Sequence, residues 1–138
     1  MIRIITNILS YGPEPASGSE IEQHLSIKAN GQCWLIRYAY QRDGGPACVK
    51  RERFQTSAVD GLFPELKSFF DSYDWLSYSV TDTGEWSIEA DRQEAALLGL
   101  GNSRRLTGSV CGAGSALSAS IRTVLGRQDL FLLDGGPV

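Results

Sequence analysis

The sequence predicts one α+β domain over residues 1–138, mainly an antiparallel sheet of about five to seven strands with two helices packed on one face. Three observations lead there. Residues 20–41 form two alternating segments about Asn30-Gly31, a hairpin signal. Two stretches, 57–70 and 115–126, repeat apolar residues at helical spacing. Several connections between the remaining strand-like segments are too short for parallel crossovers.

Residues 2–9 are rich in β-branched side chains and read as a first strand, closed by Ser10-Tyr11-Gly12-Pro13 and a loop to Ser19. In the hairpin, a two-residue type I′ turn at Asn30-Gly31 sets Ile27 against Trp34, Leu25 against Ile36, Gln23 against Tyr38 and Ile21 against Tyr40. That register puts every large apolar side chain on one wall and leaves Glu22, His24, Ser26, Arg37 and Lys28 facing water. Asp43-Gly44-Gly45-Pro46 is a turn, and residues 47–55 add a strand.

Thr56 or Ser57 can cap a helix whose face is Val59, Leu62, Phe63, Leu66, Phe69 and Phe70. Pro64 requires either a start near Phe63 or a short turn first. Residues 73–80 are aromatic, as a strand or an ordered connector. Residues 85–90 alternate Trp86, Ile88 and Ala90 with polar residues, as a half-buried strand does. A short helix fits residues 91–102, and residues 104–111 read as a strand with Leu106, Gly108 and Val110 on one side. Ser115 or Ser118 caps a second main helix, Gly126 stops it, residues 129–133 add a closing strand, and Asp134-Gly135-Gly136-Pro137 turns.

A charged fraction of 21% and a net charge of −3 are ordinary for a globular domain. The opening MIRIITNILS lacks the pattern of a secretory leader, and no apolar run approaches the ~20 residues that cross a bilayer, so a cytoplasmic protein is expected. Cys33, Cys48 and Cys111 are widely spaced without a CxxC, which favours free thiols over a zinc site. Neither metal nor cofactor is implied.

Charge is distributed unevenly. Residues 60–94 hold nine acids against Lys67 and Arg92, a net of −7, whereas residues 37–53 carry a net of +3.

Each candidate for chemistry has a plainer counterpart. His24, the only histidine, is read as a solvent-facing strand residue rather than a general base, because no nucleophile can be named beside it. Gly112-Ala113-Gly114-Ser115, between a strand and a helix, has the backbone logic of an anion cradle but lacks a following Lys-Ser/Thr, so an ordinary helix start is preferred. Glu85 and Glu89 share one strand face about 13 Å apart, too far to cooperate as acid and base. Arg104-Arg105 and residues 50–53, with Trp34, Tyr38 and Tyr40, suggest a nucleic-acid platform. The hairpin register assigns those aromatics to the core, which disfavours direct nucleic-acid binding.

Three stretches resemble a family of small proteins from Gram-positive bacteria and their mobile elements. They are Ser10-Tyr11-Gly12-Pro13-Glu14-Pro15, the hairpin from Glu22-Gln23-His24-Leu25-Ser26-Ile27 through Asn30-Gly31, and the end from Leu117-Ser118-Ala119-Ser120-Ile121-Arg122 to Asp129-Leu130-Phe131-Leu132-Leu133-Asp134-Gly135. The resemblance implies a bacterial or phage setting and assigns no residue a role.

The expected function is a non-enzymatic protein-binding module, an inhibitor or neutraliser of the anti-CRISPR or toxin-immunity kind. Its expected contact residues are Asp71, Asp74, Asp82, Glu85, Glu89 and Asp91, offered as monomer or homodimer to a partner with a basic, nucleic-acid-handling surface. One rival is a small enzyme or phosphate binder at Gly112–Ser115 using Ser109, Cys111 or His24. Another is a homo-oligomer joined through Tyr73, Trp75 and Tyr78.

Overall fold

Alternation of buried and open positions along each strand builds one six-stranded antiparallel sheet. A computed structural model describes residues 1–10 and 12–136. The strands are β1 (Ile2–Asn7), β2 (Glu20–Ile27), β3 (Gln32–Ala39), β4 (Ala47–Gln55), β5 (Glu85–Ala90) and β6 (Arg104–Ser109), in the spatial order β4-β3-β2-β1-β5-β6. All neighbours are antiparallel. The expected α+β class, its antiparallel sheet and its packed helices are therefore present. Tyr11 and Pro137, which the sequence places in turns, lie outside the described residues.

Helices α1 (Phe63–Ser72) and α3 (Ser115–Leu125), with the short α2 (Arg92–Leu97), bury their apolar stripes on one side of this sheet. Leu62, Leu66 and Phe70, then Ala95 and Leu98, then Ile121 and Leu125 join Ile4, Leu25, Leu35, Ile88 and Leu106 in a single core. Pro64 sits in the first turn of α1, where its missing N–H costs nothing, and a 3₁₀ turn at Val59–Gly61 precedes it. Asp91 caps α2 by accepting from the amides of Gln93 and Glu94. Gly126 ends α3 with φ +68°, and the Arg127 amide closes onto the Arg122 carbonyl.

The hairpin departs from the expected register, and the departure reassigns the faces of the sheet. Ile27 pairs with Cys33, Leu25 with Leu35, Gln23 with Arg37, and Ser26 with Trp34. The turn contains three residues, Ala29-Asn30-Gly31, closed by Lys28 N–H to Gln32 O and by Gly31 N–H to Lys28 O, both 2.9 Å. Gly31 takes φ +91°, the left-handed step that completes a three-residue loop. A Cβ there would come 2.1 Å from the Thr56 carbonyl oxygen, so the site also admits no larger residue.

With one residue added to the turn, β3 rotates by one position relative to β2. Cys33, Leu35 and Ala39 are buried beside Ile21, Leu25 and Ile27, while Trp34, Ile36 and Tyr38 stand on the opposite side with His24 and Ser26. The expected single apolar wall containing Trp34, Ile36, Tyr38 and Tyr40 is thereby corrected.

Smaller differences follow the same logic of local hydrogen bonding. Residues 73–80 contain a 3₁₀ turn, Trp75–Tyr78, capped by the Asp74 carboxylate. Gly114 occupies the N-cap of α3 without a side-chain cap, in place of Ser115 or Ser118. Residues 129–133 form no strand, only a buried turn with an isolated bridge between Leu132 and Gly135.

Candidate functional site

In the described chain the face of the sheet opposite the helices is overhung only by the segment around Trp75, at its β5–β6 end. Reading the registers across the six strands gives three rows. The first runs Arg53, Trp34, Ser26, Arg3, Glu89, Arg105. Below it run Arg51, Ile36, His24, Ile5, Ser87, Thr107, and then Cys48, Tyr38, Glu22, Asn7, Glu85, Ser109. Every one of these side chains is half-buried or exposed. An antiparallel sheet with one solvated face is ordinary, but such a face is normally polar throughout. Here Trp34, Ile36 and Tyr38 form an apolar stripe along β3, with Ile5 beyond His24 on β1.

Two clefts open on this face. One, of about 480 Å³, lies among Met1, Arg3, Ser26, Trp34, Ile36, Arg51 and Arg53. Lys28 places its ammonium 5.3 Å from the Trp34 ring centroid, a cation–π geometry. Among the described residues, Arg3, Lys28, Arg51 and Arg53 have no carboxylate within 4.0 Å. The other cleft, of about 460 Å³, lies over β1, β5 and β6, with Glu22, Glu85, Arg105 and an overhanging Trp75 in its lining. The face is thus bipolar, basic toward β4 and more acidic toward β5.

The six expected contact acids do not gather in one place. Glu85 and Glu89 share the uncovered face, with Asn7 and Arg3 as their β1 neighbours. Asp82 lies in the exposed loop before β5 with φ +64°. Asp71 is 2.7 Å from Lys67 at the end of α1, and Asp74 caps the 3₁₀ turn. Asp91 is engaged by the amine of Met1 and by two amides at the start of α2.

His24 does lie on the solvent side, its Nε2 2.8 Å from a Glu22 oxygen and its ring 4.6 Å from that of Tyr38. It lies beside Ile36 in the register rather than Arg37. Gly114 is small because a Cβ there would meet the Leu133 Cβ at 2.4 Å; its role is packing under the C-terminal turn. Among the described residues no three His, Cys, Asp or Glu side chains gather as metal ligands: Cys33 is buried, Cys48 exposed and Cys111 half-buried. Burial pushes the Cys33 thiol up to about 11, so it stays protonated. Tyr73 and Tyr78 pack on Phe69 and Trp86, leaving Trp75, Leu76 and Val80 as the exposed large apolar side chains of residues 73–80.

On the helix side, sequence reasoning missed an ionic cluster. Arg37 donates to Glu52 at 2.6 Å, to Glu20 at 2.9 Å and to Asp129, while Arg127 grips Asp129 through two nitrogens and reaches Glu52. Gln23 links the cluster to the C-terminal turn, donating to Asp129 O and accepting from the Phe131 amide at 2.7 Å. Arg122 holds the end of that turn through Asp134 and the Leu130 and Gly135 carbonyls. The links that close the cluster join residues far apart in sequence, 92 between Arg37 and Asp129 and 75 between Glu52 and Arg127, so no local pattern announces them. The only signal was Arg37 interrupting the buried set Cys33, Leu35, Ala39.

The cluster anchors a turn; the uncovered face is left free to meet something else. No family model, curated protein or solved structure matches the chain. The functional reading therefore rests on this geometry. No helix among the described residues is long and apolar enough to cross a membrane.

Proposed function

We propose that this protein is a non-enzymatic module that binds a protein partner through the uncovered sheet face, acting in the cytoplasm as an inhibitor or neutraliser of that partner. One observation carries the reading: Trp34, Ile36 and Tyr38 line β3, the second of the six strands, on the half of this face that no segment of the described chain overhangs. Protein interfaces draw most of their affinity from a few central Trp, Tyr and Arg side chains ringed by polar groups. Six strands and three rows span about 24 Å by about 13 Å, the size of the core of a protein interface rather than of a whole one.

The contact set differs from the acids alone. Glu85 and Glu89 remain in it as the acidic side of the face, Asp82 stands at its margin, and Asp71, Asp74 and Asp91 serve local structure. Anti-CRISPR and toxin-immunity proteins are the kinds of small neutraliser this reading has in view, by analogy of size and setting alone.

The test is quantitative capture from lysate of a Gram-positive bacterial host. Immobilised protein is expected to retain a partner that Trp34→Ala/Tyr38→Ala loses by at least about tenfold, since hot-spot truncations of this kind cost about 2 kcal/mol or more. Thermal unfolding of the variant should stay near that of the parent, because both side chains stand outside the core. Capture that survives the double substitution, or none above a bare-resin control, defeats the proposal.

A further inference from the structure

We propose that the half of the uncovered face around Trp34 takes an acidic segment of the partner protein carrying one large apolar residue. The inference rests on the protein-binding reading and names the chemistry that half recognises. Arg53, Trp34, Ser26 and Arg3 form one continuous row across four strands, and Arg51 with Ile36 forms the next. A cleft of about 480 Å³ opens among these six residues, with Met1, Leu35 and Glu52 completing its lining; the Glu52 carboxylate is held by Arg37 and Arg127. Arg3 and Arg53 bracket it about 14 Å apart at three strand spacings.

Elsewhere in the described chain the half-buried arginines Arg37, Arg122 and Arg127 each hold carboxylates. Around the cleft the exposed Arg3, Arg51 and Arg53 hold none; Arg3 makes only a 3.8 Å contact with Met1 Sδ, so their guanidinium forks stay open to an incoming acid. A planar five-donor group matches a carboxylate bidentately, which adds direction as well as strength. Trp34 and Ile36 form an apolar floor between those cations. An acidic segment with an aromatic or branched aliphatic anchor satisfies both features at once.

A single-stranded nucleic acid shares the negative charge but fits the rest of the face less well. A polyanion long enough to cross the sheet would run from Arg3 onto Glu89, its immediate β5 neighbour. The chain is also net negative, at −3, which opposes the non-specific term that dominates nucleic-acid affinity.

The experiment pans the full-length protein against a random display library of peptides about a dozen residues long. In parallel it titrates a fluorescent oligothymidylate of about 20 nucleotides at about 150 mM salt. Enriched peptides are expected to be net negative with one large apolar residue. Their affinity should fall at least about tenfold in Arg51→Glu/Arg53→Glu and stay unchanged in Arg42→Glu, an exposed cation in the β3–β4 loop. Enrichment of neutral or basic peptides, no enrichment, or tighter binding of the oligothymidylate overturns the inference. If partner capture is lost in Trp34→Ala/Tyr38→Ala but kept in Arg51→Glu/Arg53→Glu, the protein-binding reading stands and this inference alone falls.

Discussion

Trp86→Ala is expected to lower unfolding stability by about 4 kcal/mol, as buried Trp-to-Ala truncations do. Trp86, the second residue of β5, is 2% exposed. Its ring lies 5.6 Å from Tyr78 and 5.9 Å from Phe69, and its Nε1 donates to the Ser109 carbonyl at 3.0 Å. The shape is set from below as well: a Cβ at Gly108 would meet the indole at 2.4 Å, so glycine is the residue that lets β6 lie flat against it. Truncation therefore opens a cavity and orphans a carbonyl together, and the two costs add. Trp86→Phe keeps most of the volume and should lose about 1–2 kcal/mol. Urea unfolding of the two variants against the parent checks both figures.

The second large effect is at Arg37, whose replacement by methionine should cost about 3 kcal/mol at neutral pH. That is the lower end of the range for breaking a buried charge cluster, because the side chain keeps 14% exposure. Methionine fills much of the same volume, so the loss reports mainly on Glu20, Glu52 and Asp129 left with fewer cations. The pH dependence identifies the cause. Hydrogen bonds from Arg127, then from Arg37, hold the Asp129 carboxyl well below the usual range against the opposing effect of burial, and Arg37 foremost holds Glu52 down. Groups with depressed folded-state values stabilise the fold above their ordinary pKa near 4 and stop doing so as pH falls through the depressed value. The parent should therefore lose stability from about pH 4 downward. The gap to Arg37→Met should narrow over the same window. A gap that stays constant to pH 2 would mean that packing, not charge, is what Arg37 supplies.

Much of the sheet was legible because its strands obey period-two alternation: Trp86, Ile88 and Ala90 in β5, or Ile21, Leu25 and Ile27 in β2. Both main helices were legible from their apolar spacing, and Gly126 marked the stop of the second. The faces of β3 were not. That strand is apolar on both sides, with Cys33, Leu35 and Ala39 at odd positions and Trp34, Ile36 and Tyr38 at even ones. Hydrophobicity alone then cannot set register, and the turn decides.

Asn-Gly suits a two-residue turn, but the chain uses Gly31 for the left-handed step of a three-residue loop, pinned further by Thr56 N–H to Gly31 O at 3.0 Å. The larger side chains consequently face outward. That one slip hid the candidate surface, since it had assigned its central residues to the core. The C-terminal turn escapes the sequence for a related reason: residues 130–133 are buried and held by Gln23, 108 residues from Phe131, and by Arg122 at the end of α3, rather than by a strand pairing of their own.

The most direct measurement compares Leu35→Glu with Ile36→Glu by urea unfolding, two neighbours given the same charge. Leu35 is fully buried against the helices, so its variant should lose several kcal/mol or fail to fold. Ile36 stands on the uncovered face opposite Arg51, so a glutamate there should remain within about 1 kcal/mol of the parent. The reverse order, with Ile36→Glu unfolded and Leu35→Glu stable, would return Trp34, Ile36 and Tyr38 to the core and remove the surface on which the proposed function depends.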